Sequence, residues 1–354
     1  MKNVYINSVG SVSAQNTTDE ADFLKEIISY NDTTIPALNP NYKDFIPPAA
    51  ARRMAKGIKM SIVASKIALQ KANLETVDAI ITGTGMGCLH DSEKFLSAII
   101  DNNEKYLTPT PFIQSTHNTV GGQIALEIQC KGYNFTYVHG SNSFESALLD
   151  AKMQLELDEA TNILIGGVDE LAAHTILLNK AIHHIKETPV ESSKVLNSNT
   201  KGAIYGEGAN FFVLSNKKQD SSLAIVADLQ TFNTLSIQSV AEKAREFLLA
   251  NNLHPSEIDA LILGNNGDVE FDTFYSHLAT TDFQNVQQFV YKPWIGEFNT
   301  ASSFGLLLAA NILKTQCAPK AFQINTIVSS QYKTILLYNQ YRGENHSFTL
   351  LRQC

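Results

Sequence analysis

The sequence predicts an α/β protein made of two similar halves packed together, and three observations predict it. A segment of the first half recurs in the second, the elements around it follow in the same order, and strands alternate with helices at βαβ spacing. The recurring segment is Asn73-Leu74-Glu75-Thr76-Val77-Asp78-Ala79-Ile80-Ile81-Thr82-Gly83 against Asn252-Leu253-His254-Pro255-Ser256-Glu257-Ile258-Asp259-Ala260-Leu261-Ile262-Leu263-Gly264. Each copy reads as a helix end, a short polar connection and a buried strand running into glycine.

In chain order, Val4-Tyr5-Ile6 opens as a strand and an amphipathic helix runs from Met60 to Lys71. Gly140-Ser141-Asn142-Ser143-Phe144-Glu145 then opens an apolar helix, and Asn162 to Gly167 is the following buried strand. The second half repeats this with Leu223 to Val226, a helix over Ile237 to Ala250, a helix opened by Asn299-Thr300-Ala301-Ser302-Ser303-Phe304-Gly305, and a strand from Thr334. Between them Asn216 to Ser222 is polar enough for a linker, which sets the halves at 1–215 and 216–354. Any small-molecule site is expected where the halves meet.

Composition narrows the function. Apolar residues at 44% and charged residues at 18% are globular, not disordered. A net charge of −8 without a Lys/Arg cluster argues against nucleic acid. An acidic carrier-protein partner would need a basic patch, and Ala51-Arg52-Arg53-Met54-Ala55-Lys56 is the compact candidate, with a solvated helix face as the plainer reading. Cys88, Cys130, Cys317 and Cys354 share no metal-ligand spacing and form no disulfide framework, so a reducing compartment is expected. No signal-type segment or apolar run near the ~20 residues of a membrane helix is present, and the expectation is a soluble, cytoplasmic protein with no membrane span. The histidines lack paired spacing; His183 and His184 read as surface residues and no metal is expected. Gly83-Thr84-Gly85-Met86-Gly87-Cys88 lacks the last glycine of a dinucleotide fingerprint, and Gly206-Glu207-Gly208 leads into a strand, so no cofactor is expected.

Four segments could carry chemistry. At Val138 to Glu145 a strand meets a helix through hydroxyl and amide side chains. Asn142 with Glu145 has capping-box spacing, and Ser141 sits where a helix N-terminus would favour a nucleophile. Capping is the simpler reading, because serine is weak without a base and no GxSxG elbow is present. Gly264-Asn265-Asn266-Gly267-Asp268 ends a parallel strand, where α/β proteins place sites, although an Asn-Gly turn needs no function. Tyr291 to Asn299 holds the single tryptophan, with Lys292 and Glu297 able to pair as a solvated ion pair of little energy. Tyr341-Arg342-Gly343-Glu344-Asn345 is a fourth, equally a hairpin turn.

Taken in order, these segments resemble the β-ketoacyl synthase family of the thiolase-type fold over nearly the whole chain. The resemblance rests on Val4 to Ser13, Ala51-Arg52-Arg53-Met54, Gly83-Thr84-Gly85-Met86-Gly87, Gly166-Gly167-Val168-Asp169-Glu170 and Gly206-Glu207-Gly208-Ala209 with Phe212-Val213-Leu214. It implies two βαβ-containing halves packed as a five-layered αβαβα core. With Ala151 as anchor, the family's nucleophilic cysteine falls on Ser141. Its first catalytic histidine falls on Asn266 and its second, in a Lys-x-x-x-Gly-His turn, on Glu297, while Lys292 and Gly296 are kept. The gatekeeper phenylalanine falls on Tyr341, and Asn345 matches the asparagine of that turn. Phe144, Lys292, Tyr341 and Asn345 are thereby expected at the substrate pocket, and the chain is shortened between Leu229 and Ala241.

The replacements bear on activity. Condensation in this family needs a thiolate to take the acyl group and two imidazoles to assist decarboxylation and steady the enolate. Ser141 is far harder to ionise than a thiol, Asn266 cannot accept a proton, and a carboxylate at Glu297 opposes a forming enolate. The resemblance therefore implies a chain-length-factor-like subunit that does not itself condense. Such a subunit would pair with an active ketosynthase paralogue as a heterodimer, or as a homodimer, in polyketide, polyene or fatty-acid synthesis, with an acyl carrier protein and an acyl chain as partners. The glutamine common at the cysteine position of such factors is absent. The alternatives are an acyltransferase or thioester hydrolase using Ser141 with Glu297 as base, or a scaffold that binds an acyl chain.

Overall fold

The pattern of alternating strands and helices resolves into two five-stranded halves of one connectivity, in a computed structural model that describes residues 2–18 and 23–354. The first half holds β1 (Val4–Val12), β2 (Ala79–Gly83), β3 (Tyr133–Tyr137), β4 (Asn162–Asp169) and β5 (Gly208–Ser215). The second holds β6 (Ala224–Asn233), β7 (Ala260–Leu263), β8 (Gln287–Val290), β9 (Thr334–Tyr341) and β10 (Asn345–Arg352). Their spatial orders are β1-β5-β4-β2-β3 and β6-β10-β9-β7-β8. In each, the first two pairings are antiparallel and the last two parallel. The halves join where β1 pairs antiparallel with β6 over Val4–Ile6 and Ala224–Val226.

Seven helices complete the layers: α1 (Lys56–Lys71), α2 (Thr119–Glu127), α3 (Ser143–Glu156), α4 (Ala173–Ala181), α5 (Ile237–Ala250), α6 (Asp272–Thr281) and α7 (Ser302–Thr315). The strand period of two decides which residues face which layer. Ile80, Leu164, Phe211 and Val213 pack outward on α1 and α2, whereas Ile81, Ile163, Ile165 and Phe212 pack inward on α3 and α7. In the second half Ile262, Ile335 and Leu337 face α3 and α7, while Leu261, Leu336 and Leu350 face α5 and α6. The result is the αβαβα arrangement of five layers. Sequence chemistry explains the middle layer: α7 is apolar all round and buried from Ser302 through Ala310, as a helix between two sheets must be.

The repeat has identifiable physical causes. Asn73 and Asn252 both take the left-handed conformation that ends a helix, at φ 54° and 56°. Behind each, the next N–H returns to the last turn, Leu74 to Leu69 O at 3.0 Å and Leu253 to Leu248 O at 2.9 Å. Asp78 then accepts from the N–H groups of Thr161 and Asn162, and Asp259 from those of Lys333 and Thr334, so each aspartate fixes the start of a neighbouring strand. The amphipathic helix read from Met60 starts one turn earlier, at Lys56, where the Lys56 ammonium pairs with Glu207. Arg52 and Arg53 are exposed in the turn before α1, not on a helix face. Among the described residues no helix is long and apolar enough to cross a membrane.

Three buried carboxylates hold the loops at the strand ends. Asp169 accepts from Thr84 Oγ1, Gly85 N, Thr300 N and Thr300 Oγ1, at 3.2, 2.8, 2.8 and 2.8 Å. Glu170 accepts from the N–H groups of Gly57 and His90, and Glu207 from those of Ala37 and Leu171. Desolvation raises the Asp169 carboxyl above the usual range, opposed by its four donors. Removing that acceptor leaves two buried backbone N–H groups unpaired. Asp169→Ala is expected to destabilise the chain by about 3–5 kcal/mol, and the half-exposed Asp78→Ala by about 1–2 kcal/mol. Urea midpoints of the two variants check this, and a loss under about 1 kcal/mol for Asp169→Ala would contradict it.

Candidate functional site

The candidate residues come from the carboxyl ends of the parallel strands and from the turns that follow them. Asn266 stands in the turn after β7. Its backbone N–H and that of Gly267 each donate to the Asp272 carboxylate at 3.0 Å, and its Oδ1 accepts from Asp268 N at 3.0 Å. Burial pushes the Asp272 carboxyl up to about 6. Lys186, buried and bonded to Ser198, Thr200 and Gly267 O, clamps the same turn from the first half. The Asn-Gly sequence does make a turn, and the turn also aims a side chain: Asn266 Nδ2 donates to Glu297 Oε2 at 2.7 Å.

Glu297 follows the short helical turn Lys292–Ile295. Its position is fixed by backbone contact with the Gly206 segment, Glu297 N to Ile204 O at 2.7 Å and Gly206 N to Glu297 O at 2.9 Å. The two chains approach so closely that a Cβ on Gly206 or on Gly296 would collide with the opposing backbone. This is the physical content of the two glycine motifs. Lys292 Nζ lies 2.8 Å from Glu297 Oε2, with side chains 1% and 2% exposed. The pair is therefore buried, not solvated as expected from sequence, because the turn folds under β9 and not out to water.

Ser141 occupies a single 3-10 turn, Gly140–Asn142, before α3, and is buried. The expected capping box is absent. The Asn142 side chain makes no capping bond, and Glu145 turns away so that its Oε1 accepts from Ser347 Oγ on β10 at 3.0 Å. Ser143 fixes the turn instead, accepting from His139 N at 2.8 Å and donating to Gly140 O at 2.6 Å. Among the described residues Ser141 Oγ has no hydrogen-bond partner, and nor do the acceptor Glu145 Oε2 and the Ser302 hydroxyl at the start of α7. Burial pushes the Glu145 carboxyl up, opposed by the Ser347 hydroxyl and the Lys292 ammonium. The sequence did carry a signal for Glu145. It lies four residues after Ser141 and three before Leu148, on the buried face of α3.

Tyr341 and Asn345 flank a hairpin turn between β9 and β10, with Arg342 at φ 51° and Gly343 at φ 69°. Tyr341 hydroxyl meets Tyr205 hydroxyl at 3.1 Å, and burial raises both phenols. The Asn345 amide faces Gly140, 3.6 Å from where a Cβ there would stand. Phe144 packs its ring against Phe212 in the middle layer, at 5.8 Å between centroids.

A cavity of about 440 Å³ opens beside these groups. Glu297, Tyr341 and Tyr205 line it with Leu171, Ile176 and Phe298, whereas Ser141, Asn266, Lys292, Asn345 and Phe144 are not on its lining. His184 also lines it. Read from sequence as a surface residue beside His183, it is half-buried because α4 ends at Ala181 and the chain turns inward; His183 alone is exposed. Burial, and then the Arg342 charge, lower its pKa. As a chemical device the site is closed on itself. Glu297 Oε2 is occupied by Lys292 and Asn266, and among the described residues no group that could take a proton is bonded to Ser141.

Comparison with known proteins gives the family to which this fold belongs. The model of the family "Beta-ketoacyl synthase, N-terminal domain" matches residues 33–220. The chain belongs to the β-ketoacyl synthase family. It is 21% identical over 229 residues to 3-oxoacyl-[acyl-carrier-protein] synthase 2 of Synechocystis sp., covering 62% of this chain and 52% of that protein. It is 22% identical over 185 residues to the protein of the same name from Staphylococcus aureus (strain N315), covering 50% and 45%. The chain thus spans about half the length of these curated relatives. Among solved structures, the ishigamide ketosynthase/chain length factor superposes with a TM-score of 0.80 at 16% identity, covering 100% of this chain and 99% of that one. A β-ketoacyl synthase from Burkholderia phymatum gives 0.80 at 15%, with both chains covered in full. A ketosynthase in complex with its chain length factor from Xenorhabdus doucetiae gives 0.76 at 13%, covering 100% and 98%.

The buried pair makes a quantitative expectation. Glu297→Ala strands the Lys292 ammonium and should destabilise the protein by about 3–5 kcal/mol, whereas adding Lys292→Met should recover most of that loss. A denaturant double-mutant cycle measures it; additive losses would show that the two charges are not coupled.

Proposed function

We propose that this chain is a ketosynthase-like subunit that does not itself condense acyl units and that pairs with an active β-ketoacyl synthase in polyketide, polyene or fatty-acid synthesis. The observation that carries the reading is the state of the three catalytic positions. Ser141 has a buried hydroxyl without a base, Asn266 is a hydrogen-bonded strut, and Glu297 is locked in a buried ion pair. Neither donors for an enolate nor an ionisable nucleophile are on offer, so an acyl group on Ser141 would have to displace a packed network first.

Pairing is supported by the outer edge of the first half. β3 is an edge strand whose Tyr133 and Phe135 are 45% exposed, with Val138 just beyond its end at 47% and the rings of Tyr133, Phe135 and Tyr137 in a row. Beside it on α3, whose Asp150 accepts from Tyr133 and Tyr137, Leu149, Met153 and Leu157 are also exposed. A long apolar edge strand left bare is an aggregation hazard that a partner strand removes. The known chain-length-factor complexes quoted above are the precedent for such a partner, and the acyl carrier protein would meet the complex at the active subunit.

Co-expression with a cysteine-bearing ketosynthase paralogue, followed by native mass spectrometry, is expected to give a one-to-one complex. Phe135→Glu should weaken it at least tenfold. The isolated chain should form no adduct with acyl thioesters by intact mass and no condensation product. An adduct lost in Ser141→Ala would replace this reading with acyl transfer on serine.

A further inference from the structure

The 440 Å³ cavity carries an inference beyond the loss of condensation chemistry, because its lining is one-sided in charge. Its carboxylates are Glu297, Asp169 and Glu170, and among the described residues neither lysine nor arginine lines it. Asp169 and Glu170 are spent on loop N–H groups. Glu297 is different. Its Oε2 takes Lys292 and Asn266, while its Oε1 makes no hydrogen bond among the described residues and is not among the fully enclosed unpartnered atoms, which leaves it facing the cavity. Lys292 sits behind the carboxylate, away from the lining, so a molecule in the cavity meets the negative side of the pair.

The remaining walls suit an apolar body. Leu171, Ile176 and Phe298 form one side, the rings of Tyr205 and Tyr341 another, and exposed Met86 and Leu178 stand at the rim. Among the described residues His184 is the sole basic side chain on the lining, and burial with the Arg342 charge disfavours its cationic form. Two tyrosine rings beside a carboxylate are a setting in which a cationic or hydrogen-bond-donating head is stabilised. A second carboxylate there would lie against Glu297 Oε1, a like charge.

From this we infer that the cavity is a binding site for a small amphipathic molecule with an apolar chain and a hydrogen-bond-donating head, a primary amine or an alcohol, with the head on Glu297 Oε1, and that it rejects chains ending in a carboxylate. The inference rests on the reading of Glu297 as a fixed wall and not as a catalytic base, but it concerns the chain alone and does not depend on a partner subunit.

Isothermal titration calorimetry of the isolated chain at pH 7.5 with hexylamine, hexanol and hexanoate tests it. Hexylamine and hexanol are expected to bind, and hexanoate at least tenfold more weakly than hexylamine. Ile176→Trp, which fills the cavity without touching the buried ion pair, should abolish hexylamine binding with the circular dichroism spectrum unchanged. Glu297→Gln, where it folds, should bring hexylamine and hexanoate within threefold of each other. Hexanoate binding as tight as hexylamine, binding untouched by Ile176→Trp, or no binding of any of the three would overturn the proposal. Each of these readouts is independent of heterodimer formation, so failure here leaves the pairing result intact, and failure to pair leaves this one intact.

Discussion

One carboxylate holds the two halves in register. Asp169, at the end of β4, takes two hydrogen bonds from the loop after β2 and two from Thr300, which leads into α7. Burying that charge is unfavourable by itself, and four donors offset the desolvation. Because Thr300 lies three residues beyond Glu297, the anchor also sets how far the second-half turn reaches into the first half. The Gly206–Gly296 approach fixes the other coordinate. Position is thus decided by Asp169 and by the close glycine approach, and not by the candidate side chains themselves.

The candidate residues of the second half are joined in one buried chain of polar contacts. Asn266 gives its amide to Glu297, Glu297 accepts Lys292, and Lys292 in turn lies within 3.5 Å of Gln340 O. A buried ion pair adds little stability over an apolar core of the same shape, but it is unforgiving of losing one member. Such a pair favours a fixed geometry over proton traffic. Two of the buried polar atoms without a partner among the described residues, Ser141 Oγ and Ser302 Oγ, sit at the starts of α3 and α7, corresponding places in the two halves. The duplication has left matching polar turns on both central helices, with an ionisable neighbour, Glu145, packed beside them.

The duplicated fold was legible because its causes are local. Asn73 and Asn252 end helices by backbone conformation, and Asp78 and Asp259 bond to strand starts, so both leave the same residues at the same spacing. The site was legible only as positions. That Lys292 and Glu297 are buried depends on β9 and on the Gly206 segment, far off in the chain, and no local pattern separates a solvated pair from a buried one. Capping misread the α3 start for a related reason: Ser143 bonds backwards to His139, while the partner of Glu145 is Ser347, 202 residues away. His184 read as a surface residue because nothing local shows that the chain turns inward after α4 ends at Ala181.

The duplication also makes an asymmetry interpretable. By the correspondence of the halves, β3 and β8 are equivalent edge strands, yet β8 is wholly buried and β3 exposes three of its five residues. The difference has a cause in the chain itself. The segment after α7 returns along β8, with Ile324 N on Gln288 O at 3.0 Å, Asn325 Oδ1 on Gln288 N at 3.1 Å and a bridge between Phe289 and Gln323. No such segment covers β3 among the described residues, although its aromatic row is the more costly to leave wet. A duplicated unit starts with two equal edges. One has been closed from within, so the other is the edge at which this scaffold can still add a strand from another molecule, and its side chains are those of an interior.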